Sequence, residues 1–431
     1  MSATGEPTLE SKQAARPALI VIVAALLAMA QKIYCAATTI GTNDVPLNFK
    51  YGKFIYESGL DDLYHSKLFF NHTPAVGSFL YMAYAAAAHL NPPGTPNAYK
   101  FFPLILRLPG IIADFLVVLI LLKLHEKIGK PPLWALVLFA LSPVSFMVSG
   151  YHGNVDPVMV LMLVAAAFFC VTEQAAVCGL FLGLACNVKI VPLVLSPVFF
   201  LFWLHRGKKQ AAQFALASAL TCLAGWSAAL IGSTGIFLKN VLGYNSYWGY
   251  WGITHLLTET KLKQFSMPGI FFLTPAQQGV VTVLKALVIA SVLAVGWFKR
   301  RKPGSEFFGT VALVWVVFFA LAPGVGPQYL VWFAPFFLLY STPWYVAVTA
   351  ASSAFLFVQY NTISHGMPWY YGDSVGSLAH IWLPWCDLLW VVLVAMLMLS
   401  LKRDFSRHSQ PSESEIEISL TTGGSPDSLR P

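Results

Sequence analysis

Residues 150–157 read Gly150-Tyr151-His152-Gly153-Asn154-Val155-Asp156-Pro157, a polar turn set between apolar runs at 132–150 and 157–172. Each run is comparable to the roughly 20 residues that an α-helix needs to cross the hydrocarbon core of a bilayer. Asp44 occupies a similar place, just after the first apolar run of the chain. The stretch therefore predicts two membrane helices joined by a turn that carries a functional acid.

The composition extends this interpretation to the whole chain. Of its 431 residues, 57% are hydrophobic and 11% are charged, whereas soluble domains are about 25% charged. We predict an all-α fold, a polytopic transmembrane helical bundle of about 12 spans, since uncharged runs of spanning length recur throughout. The candidate spans are 17–38, 101–123, 132–150, 157–172, 176–188, 190–204, 212–232, 278–298, 306–322, 328–341, 344–360 and 379–401.

The basic residues indicate the side that each loop faces. A net charge of +8 would suggest a nucleic-acid partner in a soluble chain, but here the basic residues cluster in short loops beside the spans. Such loops are retained in the cytoplasm, so no nucleic-acid partner is predicted. The clusters are Lys12 with Arg16, Lys123 with Lys127 and Lys130, Arg206 with Lys208 and Lys209, Lys299 to Lys302, and Lys402 with Arg403 and Arg407.

The apolar run 74–90 is the ambiguous part of this topology. If all five basic loops are cytoplasmic, 74–90 cannot cross and lies on the outer face as an interfacial or re-entrant helix. Segment 176–204 is then a pair of short helices bent around Lys189, which must face protein, water or an anion. In the alternative, 74–90 crosses, 176–204 is one long helix, and Asp44 and Asp156 lie on opposite faces.

The chain is predicted to have three parts. Residues 1–16 form a cytoplasmic N-terminal segment, 17–404 the transmembrane domain, and 405–431 a disordered cytoplasmic tail rich in Ser, Glu, Gly and Pro. The run from Pro17 lacks a cleavage site followed by a polar mature start, so it is predicted to be an uncleaved span.

Charged and aromatic residues near the predicted outer face are the candidates for a site. Five of the eight residues at 244–251 are aromatic, which is typical either of an interfacial belt or of a platform for sugar rings or a prenyl chain. Arg107 and Asp114 lie two helical turns apart on one face. Arg107 is a candidate for binding an anion, and Asp114 for a structural pair.

Several short motifs resemble a known family in their order. They are Asp44 after the first span, Gly59-Leu60-Asp61-Asp62-Leu63-Tyr64, Phe70-Asn71-His72-Thr73-Pro74, Arg107 with Asp114, Gly153-Asn154-Val155-Asp156, Gly183 to Pro192, and Gln328 to Pro335. Together they resemble the C-type glycosyltransferase superfamily (GT-C) over roughly residues 17–340. The chain looks most similar to the polyprenyl-phosphate-mannose-dependent mannosyltransferases.

The resemblance implies a membrane enzyme that moves a hexose, with mannose favoured, from a polyprenyl-phosphate sugar to a hydroxyl acceptor. The acceptor, a lipid, glycan or protein, would be met on the outer or periplasmic face. We expect a bacterial inner (plasma) membrane location, with both termini cytoplasmic. Asn43 precedes Asp44 where family members often carry a paired acid. No metal ligand is therefore assigned, and a divalent cation stays an open alternative.

The chemistry assigns roles to the candidates. Asp44 is the first choice for the general base, where the resemblance places the family's catalytic acid, and Asp156 is the second. Cations that could stabilise the leaving phosphate are Lys189, Arg107 and His152. The remaining substrate-binding candidates are Asn154, Tyr247, Trp248, His255, Gln328 and Tyr329.

Two other classes of function stay open. A transporter or flippase of a lipid-linked sugar would also carry intramembrane charges, and a non-catalytic assembly partner would need no base. The chain contains no GxxxxGK[ST], GxGxxG or HExxH motif, so ATP-driven transport is not indicated.

Overall fold

The structure is a computed structural model that describes residues 9–91, 94, 99–244, 247–267, 273–373 and 376–408. Residues 1–8 of the predicted N-terminal segment and 409–431 of the predicted tail lie outside the described residues, as do Asn245 and Ser246 of the aromatic stretch. The first helix begins at Leu9 and the last continues to His408, so both pass the boundaries predicted at 17 and 404.

The chain folds almost entirely into helices, which confirms the all-α prediction. In order they are α1 (Leu9–Thr38), α2 (Asp44–Ser58), α3 (Leu60–His65), α4 (Pro74–Leu90), α5 (Phe102–Ile128), α6 (Leu133–Ala140), α7 (Pro143–Ser145), α8 (Asp156–Val171), α9 (Ala175–Val188), α10 (Ser196–Arg206), α11 (Lys208–Gly232), α12 (Thr234–Phe237), α13 (Gly252–Glu259), α14 (Pro275–Lys299), α15 (Phe307–Leu321), α16 (Ala334–Tyr340), α17 (Thr342–Ile363) and α18 (Ala379–His408).

Short irregular elements connect these helices. Two π-helical turns lie at Phe146–His152 and Leu238–Leu242, and 3₁₀ turns at Val191–Leu195, Lys263–Phe265, Gly304–Glu306, Pro327–Val331 and Gly376–Leu378. One two-stranded parallel sheet joins β1 (Gly41–Thr42) to β2 (Tyr371–Gly372), with Gly41 opposite Tyr371. This pairing ties the segment after α1 to the segment before α18.

The helices form a polytopic membrane bundle. Eight segments of the described chain are long and apolar enough to cross a bilayer: Pro17–Thr38, Phe102–Ile128, Leu133–His152, Lys208–Gly232, Pro275–Lys299, Gly304–Leu321, Thr342–Ile363 and Gly376–Arg403. The predicted spans at 157–172, 176–188, 190–204 and 328–341 form shorter helices. Large apolar side chains such as Leu216 (62% exposed) and Phe298 (76%) lie on the outside of the bundle, as expected for helices that cross a bilayer.

Helices α8, α9 and α10 define two ends of the bundle. Asp156 at the start of α8 contacts Lys189 at the end of α9, whereas the far end of α8 packs against the 304–306 turn. Helix α10 returns to that far end, where the Arg206 guanidinium donates to the Lys302 carbonyl (3.2 Å). The acids and these two basic loops therefore lie at opposite ends.

Helix α4 lies at the acidic end and does not run the length of the bundle. Its Tyr84 contacts Phe49 of α2 (ring centroids 5.1 Å apart), and Phe49 in turn contacts Phe102 (5.1 Å), the first residue of α5. Since α9 and α10 are separate helices, and Asp44 and Asp156 lie at one end, the alternative topology does not describe this fold.

Helix α15 is the core of the bundle, packed between α8, α14, α16 and α18. Its Trp315 is fully buried, and its ring lies at a tilt against that of Trp332 (centroids 5.5 Å apart). This packing fixes Trp332 and the preceding 3₁₀ turn at the acidic end, beside the start of α8.

Candidate active site

A cavity of about 450 Å³ opens at the acidic end of the bundle. Its polar wall comes from α2, the turn before α4, and the turns at 154 and 328, and its apolar wall from the end of α9, the turn at 191–195, α14 and α15. The lining residues are Asp44, Leu47, Asn48, Asn71, His72, Thr73, Asn154, Val188, Lys189, Ile190, Val191, Leu193, Val194, Val241, Leu242, Tyr244, Tyr247, Lys285, Val288, Ile289, Phe318, Ala322, Pro323, Gly324, Gln328, Tyr329 and Trp332.

Asp44 is the one carboxylate among these lining residues. It is the first residue of α2, where the helix dipole favours a negative charge. Its Oδ2 accepts hydrogen bonds from His152 Nε2 (3.1 Å) and Asn154 Nδ2 (3.0 Å). Its Oδ1 receives no hydrogen bond from the described part of the chain, and the side chain is 29% exposed. One oxygen is therefore held by the protein while the other is available to the cavity.

The charge state of Asp44 follows from its neighbours. Burial raises the pKa of this carboxyl, but the hydrogen bonds from His152 and Asn154 and the positive charge of Lys189 outweigh it. The pKa of Asp44 consequently lies below its ordinary value, and the group is a carboxylate at neutral pH.

Asp156 forms a buried ion pair with Lys189. Both carboxylate oxygens lie 2.8 Å from Lys189 Nζ, and Trp332 Nε1 donates to Oδ1 (2.5 Å). Asp156 is fully buried and does not line the cavity, whereas Lys189 does. The lysine also lies 4.6 Å from the ring centroid of Tyr329, so a cation–π contact adds to the ion pair.

The 150–157 turn brings these groups together. A π-helical turn ends at His152, and Gly153 then adopts a left-handed backbone (φ 89°). A Cβ at Gly153 would lie 2.3 Å from Val45 Cγ2, so only glycine allows α2 to approach this closely. Asn154 and Asp156 emerge beyond it, one toward Asp44 and the other toward Lys189.

His152 lies behind Asp44 and does not line the cavity. Its Nδ1 is 2.8 Å from the hydroxyl of Tyr360, a fully buried residue of α17. Thr42 Oγ1 donates to the His152 carbonyl (2.8 Å), which joins this turn to β1.

Arg107 is buried beneath the same region and does not line the cavity. Its Nη1 donates to Gly150 O (2.8 Å) and Thr39 Oγ1 (3.0 Å), and its Nη2 donates to Thr39 O (3.2 Å) and Ile40 O. A planar guanidinium suits such a set of acceptors. The guanidinium therefore clamps the chain after α1 to the turn before His152, and the prediction that it binds an anion is wrong for this structure.

The other predicted site residues divide into two groups. Asn154, Tyr247, Gln328 and Tyr329 line the cavity, whereas Trp248 and His255 do not. Trp248 is buried and donates from Nε1 to Phe265 O (3.2 Å).

His255 contacts Asp387 of α18 through Nε2 (3.3 Å). Asp114, predicted to be structural, accepts from Lys32 Nζ (2.6 Å), Ser145 Oγ and Ser149 Oγ.

Several lining residues were not predicted as site residues, among them Asn48, Asn71, His72 and Lys285. Asn48 follows Asp44 by four residues on α2, so helical spacing puts both on one face. Lys285 is a lysine within a predicted span, which by itself indicates a protein- or cavity-facing position. Burial and the charge of Lys189 lower the pKa of His72 to about 4, against the opposing charge of Asp44.

Comparison with known proteins identifies the family. Residues 104–323, just over half of the chain, match the model of glycosyltransferase family 87. No curated protein matches the sequence. The matched segment contains His152, Asn154, Asp156 and Lys189, and Asp44 precedes it. The chain therefore belongs to glycosyltransferase family 87, and it is a GT-C-like membrane enzyme that transfers a sugar from a donor to an acceptor.

Proposed function

We propose that the protein transfers a hexose, with mannose favoured by the resemblance, from a polyprenyl-phosphate sugar to an acceptor hydroxyl in the cavity beside Asp44. The observation that carries the proposal is the make-up of the cavity. Its lining includes the Asp44 carboxylate with neutral amides, two lysines and a set of apolar side chains. An acceptor hydroxyl, a phosphate and a prenyl chain require these three kinds of surface.

The apolar wall supports a lipid-linked donor. Val191, Val194 and Val288 line its inner part, and Leu193, Leu242 and Ile289 line it while being 36%, 41% and 55% exposed. Exposed apolar side chains at the rim of a cavity in a membrane bundle face acyl chains. A prenyl chain would enter sideways here, with its phosphate leading.

Two lysines support a phosphate subsite. Lys189 Nζ, held by Asp156, lines the cavity, and Lys285 reaches it from α14 while donating to Tyr244 O (3.3 Å). Both lysines would interact more strongly with the leaving phosphate as it gains negative charge in the transition state. In this proposal Asp156 acts by holding Lys189 and is not the base, because both of its oxygens are engaged.

Asp44 Oδ1 is the proposed proton acceptor. The acceptor hydroxyl attacks the anomeric carbon of the donor sugar, and its proton passes to Asp44 Oδ1. The new glycosidic C–O bond forms as the bond between the anomeric carbon and the phosphate oxygen breaks, and prenyl phosphate leaves with that electron pair. Asn48, Asn71 and Gln328 line the same space, and their amides suit the hydroxyls of a sugar.

The basic loops give the proposed orientation. Because positively charged loops stay in the cytoplasm, and those at Arg206 and Lys302 lie far from Asp44, the cavity would open on the outer, periplasmic face. Both termini would then be cytoplasmic, in the inner membrane of a bacterium.

Substitution of Asp44 tests the proposal. Purified Asp44→Asn protein in lipid nanodiscs should lose about 10²–10⁴-fold in sugar transfer from prenyl-phosphate mannose, the usual contribution of general base catalysis. Asp62→Asn is the matched control, because Asp62 is an exposed acid of α3 and should keep full activity. Wild-type turnover by the Asp44 variant would rule out the base assignment. Product from a nucleotide sugar, with none from the prenyl-phosphate donor, would rule out the donor class.

A further inference from the structure

We propose that Tyr360 and His152 are positioning residues that orient the Asp44 carboxylate, forming a buried chain from the Tyr360 hydroxyl through the imidazole to Oδ2. The inference rests on the proposed role of Asp44 as the base. It concerns two residues that touch neither donor nor acceptor, since neither lines the cavity. Tyr360 also lies on α17, outside the segment that matches the family.

The hydrogen bonds fix the tautomer of His152. Tyr360 is fully buried, and its hydroxyl has one described partner, His152 Nδ1, at 2.8 Å. The Tyr360 hydroxyl therefore donates to Nδ1, because a buried O–H requires an acceptor. A neutral ring that accepts at Nδ1 carries its proton on Nε2, so Nε2–H donates to Asp44 Oδ2 across 3.1 Å.

This chain restricts how the carboxylate can rotate. Oδ2 accepts from both His152 and Asn154, and turning the carboxylate away would break both bonds. Oδ1 is then kept toward the cavity, where a proton can be received. The opposite tautomer of His152 would face Oδ2 with a lone pair and would repel the carboxylate.

The surroundings of Tyr360 keep its hydroxyl in place. Its ring packs against Tyr151 (centroids 5.4 Å apart), His152 (5.7 Å) and Trp369 (5.7 Å). Tyr151 is held in turn by a hydrogen bond between its hydroxyl and Ser364 Oγ (2.6 Å). Such a fixed donor suits a group that must position another within a fraction of an ångström.

Four variants of the full-length enzyme separate positioning from general packing. They are Tyr360→Phe, His152→Leu, His152→Gln and the control Tyr345→Phe, whose target is a buried tyrosine of the same helix about four turns away. Steady-state kinetics with prenyl-phosphate mannose would give kcat and KM for each, and thermal unfolding would verify the fold.

Tyr360→Phe should lower kcat about tenfold, the effect of one lost neutral hydrogen bond, with KM for the donor within about twofold of wild type. His152→Leu should lower kcat about 100-fold or more. His152→Gln should recover at least about tenfold of that loss, because its amide N–H can still donate to Oδ2. Tyr345→Phe should have wild-type kinetics.

Two results would overturn the inference while leaving the base assignment intact. One is a folded Tyr360→Phe enzyme with wild-type kcat. The other is a His152→Gln enzyme no more active than His152→Leu, which would show that a hydrogen bond from residue 152 to Oδ2 is not what the activity requires. If Tyr360→Phe does not fold, the comparison of the two His152 variants alone decides. Full activity of Asp44→Asn, in contrast, refutes the proposed function rather than the positioning chain.

Discussion

Removing Lys189 alone should destabilise the protein and stop sugar transfer, whereas removing Lys189 together with Asp156 should restore stability without activity. The reason is the asymmetry of the pair. Asp156 is fully buried, and the Lys189 side chain is 15% exposed on the cavity wall. The buried Asp156 carboxylate cannot be hydrated when its lysine is removed, so Lys189→Met leaves a buried, uncompensated charge.

The size of the effect follows from the geometry. At 2.8 Å and an effective dielectric constant of about 20, the attraction is roughly 6 kcal/mol. Desolvation of each ion costs several kcal/mol, so the intact pair adds little net stability. Loss of one partner costs about 3–5 kcal/mol. Lys189→Met should lose this amount, and Asp156→Asn with Lys189→Met should lie within about 1–2 kcal/mol of wild type.

Two measurements on the same purified proteins test the prediction. Unfolding in detergent micelles gives the free energies, and single-turnover transfer from prenyl-phosphate mannose gives the rate. The double variant should be folded but about 10²–10³-fold slower, because Lys189 no longer stabilises the leaving phosphate. Lys53→Met is the control. Lys53 is half exposed, and its ion pair with Glu57 (3.7 Å) is at the surface, where such pairs contribute little to stability. The reasoning fails if Lys189→Met is as stable as wild type, or if the double variant turns over normally.

Two further substitutions test the surroundings of the site. Arg107→Lys keeps the charge but loses the planar fork on Thr39, Ile40 and Gly150, so chemical unfolding should show a loss of about 2–4 kcal/mol; unchanged stability would contradict the clamp. The pKa of His72 is about 4 in the folded protein and about 6.5 in the unfolded chain. Between these two pH values, therefore, the unfolded chain binds a proton at His72 and the folded protein does not. Stability should therefore fall as pH drops from about 6.5 to 4, and His72→Asn should flatten that slope; an unaltered slope would contradict it.

Much of the fold could be predicted because membrane helices are specified by local runs of apolar residues. Apolar runs and basic loops indicated most of the spans, the bend before Lys189 and the placement of the 74–90 helix at the acidic end. The same charge map put Asp44 and Asp156 at one end, where the structure has them. Residues 328–341, predicted as a span, instead form a 3₁₀ turn and the short helix α16, because an apolar run alone does not report where packing interrupts a helix.

The partners of the charged residues could not be predicted in the same way. Arg107 binds backbone carbonyls that are left free only because the chain after α1 turns sharply into β1. Trp248 and His255 belong to an aromatic stretch whose composition is equally typical of packing and of binding. Tyr360 lies about 200 residues beyond His152, and no local pattern reports a contact across that distance.

The site is built from two parts of the chain, and only one of them lies in the segment that matches the family model. The segment 104–323 supplies His152, Asn154 and Lys189, but Asp44 comes from before it. Two links hold Asp44 to that segment, the Arg107 clamp on Thr39 and the bond from Thr42 to the His152 carbonyl. The pairing of β1 with β2 ties the same stretch to a region beyond the segment.

Each link acts within five residues of Asp44. Because misplacement of a catalytic group by about 1 Å can cost about 100-fold in rate, these links are as necessary to the proposed chemistry as the carboxylate itself. A change at Thr42, which does not line the cavity, should accordingly lower kcat more than it alters donor affinity.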